Sequence, residues 1–154
     1  MAQKKGGLSM FVAYPSIFYK EDGQYSVFFA DFEGGTCGET IEEAYRMAID
    51  WLGIQLMDYY LQNKPLPKAS KIEDMDIKNF LDFLDTAEKI DEESKKCFKT
   101  LIGFDLTQYI KDTQKTTVRK NVTIPSWLNE MGKNYNLNFS NLLQEAIKRE
   151  LDIE

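Results

Sequence analysis

Hydrophobic and polar positions alternate along this chain in two periods, and the changes of period mark its elements. Residues 8–19, LSMFVAYPSIFY, and 24–32, QYSVFFADF, are dense in aromatic and branched side chains. The turn signal KEDG separates them, so they predict two strands joined as a hairpin. In the second strand Tyr25, Val27 and Phe29 face opposite to Ser26, Phe28 and Ala30, which puts bulk on both sides. One side is expected to pack on a helix and the other to meet something else. After Gly34 and Gly35 the run TCGE offers a third strand. The period then becomes helical: Ile41, Ala44, Tyr45, Ala48, Leu52, Leu56 and Tyr59 form one apolar stripe. Thr40 and Glu43 have the spacing of a capping box at its start, and Pro65 in NKPLP ends it. Residues 68–98 are charged and irregular, with Ile77, Phe80, Leu81 and Leu84 predicting one or two helical turns. LIGFDL (Leu101 to Leu106) predicts a further strand, and TQYIKDTQ a helical turn and linker.

Beyond the linker, Thr116 to Pro125 alternates again. Val118, Val122 and Ile124 share one face, while Thr117, Arg119, Asn121 and Thr123 share the other. A lone strand with no sequence neighbour to pair with must find a partner elsewhere, most simply in a second copy of the chain. The pattern therefore predicts a homodimer whose paired strands display Arg, Asn and Thr. A two-stranded ribbon fits the DNA major groove, where Arg suits guanine, Asn suits adenine and Thr suits several bases. Pro125 tolerates a first helical turn, and Trp127, Leu128 and Met131 give a short helix an apolar side. Asn138 is the expected N-cap of a second helix with the stripe Phe139, Leu142, Leu143, Ala146, Ile147 and Leu151. Its opening amides are candidates for a DNA phosphate. The plain alternative is an ordinary strand with two packing helices and no role on DNA.

Charge divides the chain at the same place. Its 154 residues suit one domain by length, but residues 1–111 hold 13 Lys and Arg against 19 Asp and Glu, and residues 112–154 hold 6 against 6. The whole deficit of six lies in the first part, which predicts two domains, 1–111 and 112–154. Lys115, Arg119 and Lys120 stand on the predicted strand with no acid among them, a local positive stripe on an acidic protein. An acidic first domain would be repelled by nucleic acid and anionic membranes. Cys37 and Cys97 have no CxxC neighbour and read as free thiols in a reducing cytoplasm. No apolar run reaches the length of a membrane span, and MAQKKGG lacks the apolar core of a signal peptide. The expectation is a soluble cytoplasmic protein. The chain has no histidine, so imidazole metal ligands and His-activated nucleophiles are absent.

RKNVTIP, a short helix, NLNFS and LLQEAIKREL follow the order and spacing of the ribbon-helix-helix repressors, and the resemblance covers residues 115–153. It implies that Arg119, Asn121 and Thr123 face the bases and that Asn138, Phe139 and Ser140 bind a phosphate. Lys120 departs from the pattern, standing where a buried face favours an apolar residue. Its stem can lie on the surface with the ammonium toward water or phosphate. The first part, through ADFEGGTCGETIEEAYRMAIDWL, the PLP after the helix and FDLTQYI as a strand, resembles the HicB family of antitoxins. That resemblance implies an α+β chain: a reduced RNase H-like domain of order βββαβ, then a ribbon-helix-helix domain. It also implies a partner, a small basic RNA-cleaving toxin like HicA, whose RNA-binding surface an acidic domain can occupy. Asp31, Phe32 and Glu33, beside the glycine turn, are candidates for part of that contact, or else a solvated strand end.

An RNase H-like fold raises nuclease chemistry, which needs several carboxylates converging on metal ions. The first strand contains no acid, and Asp31, Glu33 and Asp105 leave an incomplete set. No catalytic residue, metal or cofactor is therefore expected. The resemblance leads to an antitoxin that neutralises a HicA-like mRNA interferase and represses its own operon by binding operator DNA as a dimer or higher oligomer. The competing expectation is a stand-alone repressor whose first domain senses a ligand or oligomerises.

Overall fold

A computed structural model describes residues 9–83 and 94–152 of the chain, in two units, Met10–Gln114 and the stretch from Lys115 onward. In the first unit, Asp22 and Gly23 both hold positive φ, 48° and 82°, which makes the two-residue turn that matches strand twist. It joins β1 (Phe11–Glu21) to β2 (Gln24–Phe29), with Glu21 opposite Gln24 and Ser16 opposite Phe29. After the turn at Gly34 the short β3 (Gly35–Gly38) pairs on the far side of β2. β4 (Cys97–Asp105) pairs antiparallel with β1, giving a sheet of order β3-β2-β1-β4. The strands come in the order that βββαβ requires, but among the described residues two α-helices rather than one stand between β3 and β4. β4 begins at Cys97, not at Leu101, because β1 is long enough to pair with it from Phe11 opposite Asp105 to Tyr19 opposite Cys97. Leu8, at the expected start of the first strand, lies outside the described residues.

α1 (Ile41–Leu61) lies on one sheet face. Thr40 caps it, its hydroxyl accepting from the Glu43 amide at 3.1 Å, while the Glu43 carboxylate accepts from the Glu39 amide at 2.8 Å, one residue earlier than a strict capping box. Ala44, Ala48, Leu52 and Leu56 of α1 are fully buried against Val12, Tyr14, Phe18, Val27, Phe29, Ile102 and Phe104 of the sheet. Each large side chain so buried contributes about 1.5–3 kcal/mol. Gly38 lets α1 approach the sheet edge, since a Cβ there would lie 2.4 Å from the Ala44 nitrogen.

The second sheet face is covered by part of the segment expected to be irregular. A 3-10 turn at Ile72–Asp74 leads into α2 (Ile77–Phe83), with the Asp76 carboxylate accepting from the Lys78 amide at 2.8 Å. Phe80 packs on Phe28 with ring centres 4.9 Å apart, Leu81 is fully buried, and Ile17 and Tyr19 of this face are also buried. The bulk on both sides of β2 thus has two coverings. Leu84, the last of the four residues that predict helical turns here, lies outside the described residues.

β4 ends at Asp105, where the FDLTQYI resemblance places a continuing strand. The Asp105 carboxylate accepts from the Gln108 amide at 3.0 Å and opens a helix instead, α3 (Leu106–Thr113). Residue 111, the expected domain boundary, falls inside α3, and the division comes after Gln114. The second unit consists of α4 (Ser126–Asn134) and α5 (Phe139–Glu150). Asn136 between them takes a left-handed φ of 52°, and the Leu137 and Asn136 amides close the end of α4 on the Gly132 and Lys133 carbonyls at 2.9 and 3.0 Å. Residues 114–125 form no strand, for no segment among the described residues pairs with them.

Candidate functional site

The stretch that the sequence marks for DNA is wholly exposed. Lys115, Thr117, Arg119, Lys120, Asn121 and Thr123 all face solvent, and among the described residues the main chain from 115 to 124 makes no main-chain hydrogen bond. Asn138 is the N-cap of α5, its side-chain oxygen accepting from the Asn141 amide at 3.0 Å. The amides of Phe139 and Ser140 stand in the first turn without an intrahelical partner, as helix geometry requires. The Phe139 ring has a different task. It lies over Gly132, where a Cβ would come within 2.4 Å of it, and so joins the start of α5 to α4.

Apolar surface in this unit is open rather than packed. Among its described residues Gly132 alone is buried. Ile124, Leu128, Met131, Tyr135, Leu137, Phe139 and Leu142 line an apolar concavity of about 320 Å³. Val118 and Val122, on the greasy face of the predicted strand, are 75% and 60% exposed. Small units bury the smallest share of their surface, and one with so little buried inside it gains stability from a partner surface.

In the first unit, the three residues with a candidate role in partner contact have separate fates. Asp31 is half-buried, and its carboxylate accepts from the Ser70 amide at 3.0 and 3.1 Å and from the Ser70 hydroxyl, pinning the chain that follows α1. Phe32 packs edge-on against Tyr14 and Trp51, with ring centres 5.1 and 6.1 Å away. Glu33 is exposed. The Tyr14 hydroxyl donates to the Pro67 carbonyl, and burial first, then the Asp31 charge, holds its pKa above the ordinary tyrosine value. Asp31, Phe32 and Tyr14 thus form a strut between β1, β2 and the end of α1.

The carboxylates do not converge. Asp31 is held by Ser70 and Asp105 caps α3, and among the described residues no three His, Cys, Asp or Glu side chains could together hold a metal ion. Among the described residues these carboxylates therefore do not come together as the donor set of an RNase H-type metal centre. No helix among the described residues is long and apolar enough to cross a membrane.

A protein solved in a toxin–antitoxin complex from Streptococcus pneumoniae is 31% identical to this chain, over 92% of this chain and 99% of that one, with a TM-score of 0.56. The chain belongs to that toxin–antitoxin family. Two antitoxins also match: HicB from Burkholderia pseudomallei at 20% identity over 88% of this chain and 96% of its own, and HicB3 at 17% over 93% and 100%, each with a TM-score of 0.43. No family model and no curated protein matches the chain.

In this toxin–antitoxin protein, sequence reasoning passed over the outer side of α1. Met47, Ile54 and Leu61 are exposed there at 42%, 58% and 58%. Their spacing of seven was legible, but only the packed helix shows that this second row is left uncovered.

Proposed function

We propose that this chain is an antitoxin of HicB type that neutralises a HicA-like mRNA interferase by direct binding through its first unit. We also propose that it represses its own operon through a ribbon-helix-helix dimer formed by its second. The observation that carries the reading is the open second unit: two short helices with their apolar side unfilled, preceded by a segment that pairs with no strand among the described residues. A second copy supplies both needs at once. Its segment pairs with this one into a ribbon, and its helices fill the concavity beneath. Thr117, Arg119, Asn121 and Thr123 then lie side by side on the outer face, with Lys115 and Lys120 near the phosphates. The amides of Phe139 and Ser140 can bind a phosphate behind the Asn138 cap.

The kinship with a toxin–antitoxin component supports placing the chain in such a complex, and its own residues favour the antitoxin side. It has no histidine for acid–base cleavage of RNA, its acidic first unit opposes nucleic acid, and its candidate DNA contacts suit autoregulation. The reading predicts a reading frame for a small basic protein beside the gene, and the test is co-expression of the chain with that protein. The full chain is expected to co-purify with it and abolish its toxicity. A chain lacking residues 115–154 is expected to keep binding but lose operator binding. A full chain that neither binds nor protects would overturn the antitoxin reading and leave the repressor alone.

A further inference from the structure

We infer that the outward face of α1, from Glu43 to Leu61, is the surface on which the first unit holds its basic protein partner; this rests on the antitoxin reading above. α1 has two apolar rows. Ala44, Ala48, Leu52 and Leu56 are fully buried in the core. Met47, Ile54 and Leu61 stand on the opposite side and are exposed. Seven residues are close to two helical turns, so these three form a row about 21 Å long. Scattered exposed apolar residues carry no meaning, but a surface helix normally presents polar residues opposite its core. Met47, Ile54 and Leu61 recur once every two turns with the exposed Asp50 and Asp58 between them, an apolar row interleaved with acids that a partner's groove can take up.

The charges beside the row decide what covers it. Glu43, Asp50 and Asp58 flank it, and Arg46 is the one cation between Ile41 and Leu61. Pairing with α1 of a second copy would set carboxylates against carboxylates, so the face disfavours self-association. A partner with an apolar strip edged by Lys or Arg is complementary on both counts. Next to Met47 an open depression of about 330 Å³ is lined by Glu43, Arg46, Ile49 and Asp50, with Asp50 its exposed carboxylate.

Other apolar surfaces of the unit are less suited. α1 covers one sheet face, and α2 covers much of the other through Phe80 and Leu81. Phe11 and Leu101 remain exposed at the far end of that second face, but Leu101 lies two residues from the cationic Lys99. Asp31 and Phe32 are committed to the strut.

The experiment uses the full chain and the purified basic product of the neighbouring frame. Ile54→Lys and Asp50→Arg are each expected to weaken binding about tenfold or more, with unchanged thermal unfolding of the free chain. Asp50→Arg should act mainly by slowing association, and Leu101→Lys should bind like the wild type. If the wild type binds and both α1 variants bind equally well, the inference is wrong while the antitoxin reading stands. Loss of binding by Leu101→Lys alone would move the contact to the second sheet face. A wild type that does not bind removes the reading and the inference together.

Discussion

Arg119 and Lys120 are neighbours with opposite facing on the proposed ribbon, and their chemistry separates their roles. Arg119 offers a planar fork suited to the two acceptors of a guanine, whereas Lys120 is a point charge at a position whose side chain turns away from the bases. Arg119→Ala is expected to cost about 1–3 kcal/mol on the operator and to relax specificity at one base. Lys120→Ala should weaken all DNA sequences alike and reduce the salt dependence. Binding titrations on operator and scrambled DNA at two salt concentrations separate the two, and intact operator binding by Arg119→Ala together with Asn121→Ala would sink the ribbon. Residue-level features that involve near neighbours were legible in the sequence. The Thr40 cap on the Glu43 amide, the Asp22–Gly23 turn and the Asn138 cap each join groups at most three residues apart. The Asp31–Ser70 link was not, because its partners lie 39 residues apart and nothing local distinguishes a bound carboxylate from a solvated one.

Between elements, the approach of α1 to β3 is set by a missing side chain. A Cβ at Gly38 would sit 2.4 Å from the Ala44 nitrogen and 2.8 Å from its Cα, and backbone atoms in a capped helix cannot step aside as a flexible side chain can. Gly38→Ala is expected to destabilise the first unit by about 1–3 kcal/mol, read as a fall of several degrees in its unfolding midpoint. An unchanged midpoint would show that α1 can shift without loss. The same contact explains why β3 is so short: the chain must leave the sheet at Gly38 to turn into the Thr40 cap. The order of strands and helices was legible from the two periods. The start of β4 at Cys97 was not, because Lys95, Lys96 and Lys99 read as loop until β1 supplies a pairing partner and Met75 a carbonyl for the Lys99 ammonium at 3.0 Å.

For the whole molecule, the two units differ in how they meet their need for a core. The first buries Phe18, Leu52, Leu56 and Ile102 within one chain, whereas the second leaves Trp127, Tyr135 and Leu142 in solvent. Stability of the second unit should therefore depend on protein concentration, and that of the first should not. Unfolding followed over a hundredfold range of concentration is expected to show a midpoint that rises for the second unit. Sedimentation of a Phe139→Ala variant should show a shift toward monomer. A concentration-independent transition with a monomeric wild type would remove the dimer, and with it the ribbon.

The sequence alone determined the hairpin, the long capped helix and the two last helices, because periodicity, caps and turn residues act between near neighbours, whereas the strand expected at Thr116–Pro125 pairs with nothing among the described residues. It also determined the division of charge and the lack of histidine, which no fold can alter. Only the tertiary structure decided that a second apolar row of α1 stays uncovered, that Asp31 and Phe32 brace the fold, and that part of the charged segment after α1 covers the second sheet face. The physical reason is the same in each case. A side chain's exposure and its partner are set by what lies across from it, and those groups come from distant parts of the chain.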